Sequence, residues 1–322
     1  MFESAVLNDI VGQDNVKKQL KGALIAEHHV LIIGAPGVGK TTLAKNVAKL
    51  LPSIDVNDCP WNCLPEKPQC PHCLNKNPKT KKISGGQRFI RVQGSPDLTA
   101  EDLLGDIDPL KALEFGPLSI EAFTPGKLFR ANNGVLFFDE INRAPEKLQN
   151  ALLQVLEEGK ITLGSYDVDF VANFILIATM NPSDSNTEKL SDVLLDRFDV
   201  IHMGYPETAA IEIQIVKDKG NDVVDQLLGF VVGFIRSLRV DKDLEKVPGV
   251  RATLAWVERA QSNATIEQRT VTLEDFRSTA VSVLAHRIAL KPSLKYVRET
   301  EDYIHEKLAS FAKEVKSPGG RL

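Results

Sequence analysis

The sequence predicts an α/β protein: a parallel five-stranded sheet flanked by helices, followed by a small all-helical domain. Three observations carry this reading. Apolar runs rich in β-branched residues recur at Val30–Ile33, Arg88–Val92, Val135–Phe138, Asn173–Thr179 and Asp199–Met203. Helical patterns lie between several of them, and that alternation implies βαβ crossovers with helices on both faces of the sheet. The first run leads directly into Gly34–Thr41, which matches G-x-x-x-x-G-K-[ST] and opens a segment with helical spacing. After Pro206 the strand-like runs stop, and segments 207–217, 222–238, 251–261 and 273–290 read as amphipathic helices. These divide the chain into an α/β domain (1–206), a helical domain (207–310) and a flexible tail (311–322).

The chain has 322 residues, 43% of them hydrophobic, enough to bury the cores of two domains. Its net charge is −4, so nothing overall points to nucleic acid or to an anionic membrane. No apolar run is long enough to span a bilayer and the N-terminus lacks a basic-then-apolar signal, so the expectation is a soluble cytoplasmic protein.

Taken in order, Val30–Ile33 is a buried strand. The glycines of Gly34–Thr41 let the backbone N–H groups of Gly37, Val38, Gly39, Lys40, Thr41 and Thr42 turn toward phosphates, and the following helix N-terminus adds its positive dipole end. Leu43, Val47 and Leu50 give that helix its apolar face. Lys40 would reach the β- and γ-phosphates of a nucleotide, and the Thr41 hydroxyl would ligate Mg²⁺. The strand–loop–helix context favours this over a glycine-rich turn that binds nothing.

Two long segments follow, Asn57–Gln87 and Gly94–Gly126, and loops of this length inside a compact domain are usually functional. The first holds all four cysteines, as Cys59-x3-Cys63-x6-Cys70-x2-Cys73. Four thiols within fifteen residues of a Pro-rich insert suit tetrahedral Zn²⁺, which would supply folding energy that the insert cannot draw from a core of its own. The C-x3-C half is less typical of zinc sites, and His72 could replace a cysteine ligand. Reduced unliganded thiols and disulfides are the alternatives.

Val135–Phe138 runs into Asp139-Glu140. Ligands of parallel sheets bind at the carboxyl ends of the strands, which would put Asp139 beside the Mg²⁺, holding it through water, and let Glu140 orient the attacking water. Without the loop upstream, Asp139 could equally be a helix cap. Pro145–Glu158 is a clear helix, with Pro145 in its first turn, Leu148, Leu152, Val155 and Leu156 on one face, and Gly159 at the exit. Gly159–Val171 alternates around a turn and reads as a β-hairpin, either a passive one or a lever acting on a client. The strand Asn173–Thr179 ends near Asn181-Pro182, where Asn181 could bond the γ-phosphate or the attacking water.

The order Gly34–Thr41, Asp139-Glu140, Asn181 resembles an AAA+ ATPase. Asp139–Pro145, Leu148–Leu153 and Glu157-Glu158-Gly159 are similar to the MoxR branch, and the cysteine segment resembles an insert of magnesium-chelatase ATPase subunits. Both groups carry an insert in helix 2, here 94–126, and a hairpin before the sensor Asn, here 159–172. The resemblance spans roughly residues 5–300. It implies ATP and Mg²⁺ as cofactors and a homo-oligomeric ring, a hexamer, in which Arg197 of Leu194–Phe198 is an arginine finger reaching a neighbour's γ-phosphate; a salt bridge to Asp196 or Asp199 is the alternative. It makes Arg251, in Pro248–Ala252, a second sensor of the γ-phosphate, or else a solvent-facing helix residue. Arg143 would act at the subunit interface or in a structural ion pair. Ile10 and Val11 would flank adenine, or simply pack in the core. Glu121–Gly126 lacks the Gly-Ala-Phe-Thr-Gly-Ala signature of enhancer-binding activators. The implied work is remodelling of a protein complex or metal or cofactor insertion, with a von Willebrand factor A domain protein as partner. A helicase-like DNA motor and a nucleotide-gated scaffold are the competing readings.

Overall fold

The structure is a computed structural model and describes residues 7–75, 78–163, 168–182, 190–220 and 223–316. The chain divides into two compact units. The first comprises Met1–Ile10, Asp14–Gly34 and Gly39–Met203; the second comprises Val11–Gln13, Ala35–Val38 and Gly204–Leu322.

The first unit is built on five strands: β1 (His29–Ile33), β2 (Phe89–Gln93), β3 (Gly134–Asp139), β4 (Phe174–Met180) and β5 (Phe198–His202). They lie in the order β5-β1-β4-β3-β2, every pair parallel. Each expected strand is present to within a residue or so of its predicted ends. Val30, Leu31 and Ile32 are fully buried, as are Val135 to Phe138, which is why these strands read as continuous apolar runs rather than alternating ones. Register aligns Ile33 with Met180 and with His202, and Gln93 with Asp139. Gly34, Glu140 and Asn181 therefore come just past the carboxyl edge of the sheet.

Helix α1 (Asp14–Ile25) precedes β1, and α2 (Lys40–Leu50) follows the glycine loop. Helix α3 (Glu146–Glu158) buries Leu148, Leu152 and Val155, takes Pro145 as its N-cap, and ends at Gly159 in the left-handed conformation (φ 61°). An antiparallel pair, Ile54–Asn57 with Thr80–Ile83, forms the base of the cysteine insert. The second insert contains another pair, Gly105–Ile107 with Phe123–Pro125, and a short helix Pro109–Phe115 capped by Asp108. The expected hairpin is present as Lys160–Leu163 paired with Val168–Val171; its centre, 164–167, lies outside the described residues.

The second unit contains α4 (Ala209–Asp218), α5 (Asp225–Arg239), α6 (Val250–Ile266), α7 (Leu273–Leu284) and α8 (Thr300–Lys316). Its core gathers Phe234, Trp256, Phe276, Tyr303 and Ile304, with the Trp256 indole donating to the Phe276 carbonyl at 2.9 Å. Two corrections arise here. The helix expected over 273–290 stops at Leu284, and Ala289–Leu290 pairs with Leu244–Lys246. Ile288 and Leu290 are both buried at spacing two, a strand period rather than a helical one. The tail expected from 311 is helical to Lys316, because Ile304, Leu308 and Ala312 recur every four residues and are all buried.

Candidate active site and thiol cluster

The glycine loop leaves β1 at Ile33, and the Gly34 N–H donates to the Met180 carbonyl at 3.1 Å, extending the sheet by one bond. Gly39, at φ 109°, caps α2 in a conformation that L side chains rarely adopt. The Lys40 ammonium is folded back inside the loop, donating to the Gly34 carbonyl at 2.5 Å, and is almost fully buried. Thr41 and Thr42 are half-buried in the first turn of α2. Ile10 is buried, and its Cδ1 would lie 3.5 Å from a Cβ placed on Gly39, so it packs beside the loop; Val11 is half-buried.

The carboxylates at the end of β3 are held by a dense set of contacts. Thr179, on β4 and fully buried, donates from Oγ1 to Asp139 Oδ1 at 2.7 Å and accepts the Glu140 N–H at 2.9 Å. Arg91 Nη2 donates to Asp139 Oδ2 at 2.6 Å. Glu140 has φ 56°; its Oε2 accepts from Gln93 Nε2 at 3.2 Å and pairs with Arg143 Nη1 at 3.0 Å. A Cβ on Gly94 would fall 2.0 Å from the Glu140 carbonyl oxygen, so the turn after β2 requires glycine. With β4 between β1 and β3, the loop and the carboxylates stand two strand spacings apart, about 10 Å. That gap suits a phosphate chain with a cation between them.

Asn181 follows β4 directly and is half-buried. Arg197 is exposed and pairs with Glu157 of α3, not with Asp196 or Asp199. Arg143 forms the in-chain ion pair with Glu140. Arg251 is the exposed second residue of α6. Its Cγ would lie 3.0 Å from a Cβ on Gly37, which belongs to the same compact unit.

The four cysteines are free and buried, and their Sγ atoms all lie within 4.8 Å of one another. A tetrahedral Zn²⁺ with Zn–S bonds of about 2.3 Å needs S···S edges of about 3.8 Å, so small side-chain adjustments suffice. Hydrogen bonds from Cys63 and Cys70 hold the Cys59 thiol far below its usual range, the bond to Cys59 drives Cys70 up, and burial pushes Cys73 up to about 11. Thiols this crowded cannot all ionise unless a cation joins them. His72 is exposed on the short helix Pro71–Asn75 and is not among the clustered ligands, so it does not take a cysteine's place.

Comparison with known proteins agrees with this geometry. A model described as ATPase family associated with various cellular activities (AAA) matches residues 75–200, one for magnesium chelatase, subunit ChlI, matches 6–60, and an AAA lid domain matches 245–307. The magnesium-chelatase subunit ChlI of Nostoc sp. is 30% identical over 88% of this chain and 84% of its own length. The chain belongs to the ChlI family of AAA+ ATPases. A ChlI homolog of Methanocaldococcus jannaschii is 28% identical over 97% of this chain and 92% of its own. Among solved structures, a model of the complex between magnesium-chelatase subunits BchI and BchD shares the fold, with TM-score 0.53 and 21% identity over 92% of this chain and 98% of that one.

As an AAA+ ATPase, the chain hydrolyses ATP with Mg²⁺. Among the described residues no helix is long and apolar enough to cross a membrane. Arg91, Gln93 and Thr179 are contacts that sequence reasoning missed. Their signal was available: polar residues at spacing two in the edge strand β2, and one hydroxyl inside the apolar run of β4.

Proposed function

We propose that this ChlI-family ATPase works as a homo-oligomeric ring, a hexamer, that converts ATP hydrolysis into remodelling of a protein complex or into metal or cofactor insertion, as in the MoxR and chelatase groups. The observation that carries the catalytic part is the Asp139-Glu140 pair at the end of β3, oriented through Thr179, Arg91, Gln93 and Arg143. Lys40 and the N–H groups of Gly37–Thr42 bind the phosphates, and Thr41 and Asp139 hold Mg²⁺. Arg91 now neutralises the carboxylate that the cation would use, so loading requires Asp139 to loosen that contact. Glu140 polarises the attacking water and Asn181 positions it or the γ-phosphate. Ile10 and Val11 flank the base. Arg251 contacts the γ-phosphate, and Arg197, exposed and paired with Glu157 at the surface, acts on a neighbour's site.

The BchI–BchD complex, whose fold this chain shares, supports a second protein as partner, and a von Willebrand factor A domain protein fits the chaperone-like role of the MoxR group. Four clustered free thiols support a reducing, cytoplasmic setting and a structural Zn²⁺. The test is purified Glu140→Gln: it binds ATP normally and loses steady-state hydrolysis. Undiminished turnover would remove Glu140 from the water-orienting role.

A further inference from the structure

The segments that carry the thiols also carry the contacts joining the inserts. Trp61, buried between Cys59 and Cys63, stacks on Phe170 of the hairpin with ring centroids 4.6 Å apart. It meets Phe129 edge-on at 4.6 Å and lies 5.8 Å from Phe123, the first residue of the second strand in the 94–126 insert. Gln69, immediately before Cys70, accepts the Val171 N–H at 2.8 Å. Asn62, at φ 47°, donates to the Arg130 carbonyl at 3.0 Å, and Asn133 returns a bond to the Asn62 carbonyl at 3.2 Å. Every one of these contacts starts from a residue between or beside the cysteines.

The insert has few means of holding that arrangement alone. Among the described residues from Asp58 to Lys79, beyond its two-stranded base, the buried side chains are the four cysteines and Trp61. Its turns close through single bonds such as Asn57 N–H to the Cys63 carbonyl and Cys73 N–H to the Cys70 carbonyl. The four thiols are free, so no disulfide cross-links the Cys59–Cys63 turn to the Cys70–Cys73 turn. A cation bonded to all four sulfurs would do so, each thiol losing its proton to solvent on binding.

We propose that Cys59, Cys63, Cys70 and Cys73 bind one Zn²⁺ that clamps the Trp61 and Gln69 contacts, so that metal occupancy sets how firmly the Lys160–Val171 hairpin and the Phe123–Arg130 segment are held to the cysteine insert. The proposal rests on the zinc reading above and adds a consequence to it: the hairpin is anchored by a metal centre distant in sequence from α3 and β4, the elements that flank it. Stacked and edge-on aromatic pairs contribute beyond their buried area, so losing the Trp61 platform loosens the hairpin more than losing one surface contact.

The experiment uses the full chain purified without chelator. Elemental analysis should find one zinc per chain. Hydrogen exchange is then followed by mass spectrometry before and after metal is stripped under reducing conditions. Exchange at hairpin amides and at Phe123–Arg130 should accelerate by about tenfold or more, with α5, α6 and α7 unchanged, as for a local opening. Trp61→Leu keeps the four thiols, so it should retain zinc and still show faster hairpin exchange. Stoichiometric zinc with hairpin exchange unmoved by stripping or by Trp61→Leu overturns the clamp and leaves the metal site standing. Absence of zinc and of any other thiophilic metal, with four titratable thiols, overturns both.

Discussion

One hydroxyl organises both residues of the acidic pair at the end of β3. Thr179 Oγ1 donates to Asp139 and accepts from the Glu140 backbone, and no water reaches it. Thr179→Val keeps the shape and takes one hydrogen bond from each of two half-buried partners, a loss of about 1–3 kcal/mol. Borne by the reaction barrier, that is about a ten- to hundredfold fall in turnover. Steady-state hydrolysis alongside nucleotide binding checks it: kcat should drop while ATP affinity changes little. Gly94→Ala acts on the same carboxylate from the opposite side, since the new Cβ would displace the Glu140 carbonyl. It should lower kcat without loss of thermal stability in the second unit, measured by calorimetry. These pairings were hidden in the sequence because they depend on strand order: Arg91 and Thr179 meet Asp139 only because β2 and β4 flank β3.

Among the elements, two features of the second unit invite direct tests. Glu212 is fully buried, paired bidentately with Arg239 at 2.7 Å and bonded by Thr253 at 2.6 Å, while Arg239 also donates to the Pro248 carbonyl. Arg239→Met removes the bidentate guanidinium, leaves the carboxylate facing Arg236 at 3.9 Å, and should cost about 3–5 kcal/mol in denaturant titrations. Asp275 caps α7 through Thr272 and accepts two bonds from Arg269, whose guanidinium holds the carboxyl well below the usual range. A depressed folded-state value stabilises the fold above the ordinary carboxylate pKa near 4 and is lost as pH falls below it. The wild type should therefore lose stability between about pH 5 and pH 2 more steeply than Asp275→Asn, followed as the thermal midpoint of the second unit against pH. Strands were legible because buried parallel strands are uniformly apolar, and α3 because Pro145 and Gly159 mark its ends. Helix α8 is absent from the helical segments legible in the sequence, the last of which ends at 290, although Ile304, Leu308 and Ala312 form one buried stripe.

At the scale of the whole molecule, the proposed ring completes each site with a second subunit. In the proposed site one chain supplies Lys40 and Arg251 to the γ-phosphate, while Arg197 is exposed and, among the described residues, pairs with Glu157 on the surface. A finger in trans is worth on the order of 10³-fold in related phosphoryl transfer. The decisive measurement mixes two inactive variants: Lys40→Ala, which lacks the phosphate-binding ammonium but keeps Arg197, and Arg197→Ala, which binds ATP but lacks the finger. A shared site predicts that the mixture hydrolyses ATP where neither variant does alone, with activity rising as mixed rings form. Full activity of Arg197→Ala alone at every protein concentration would contradict the account and leave Arg197 as a surface partner of Glu157.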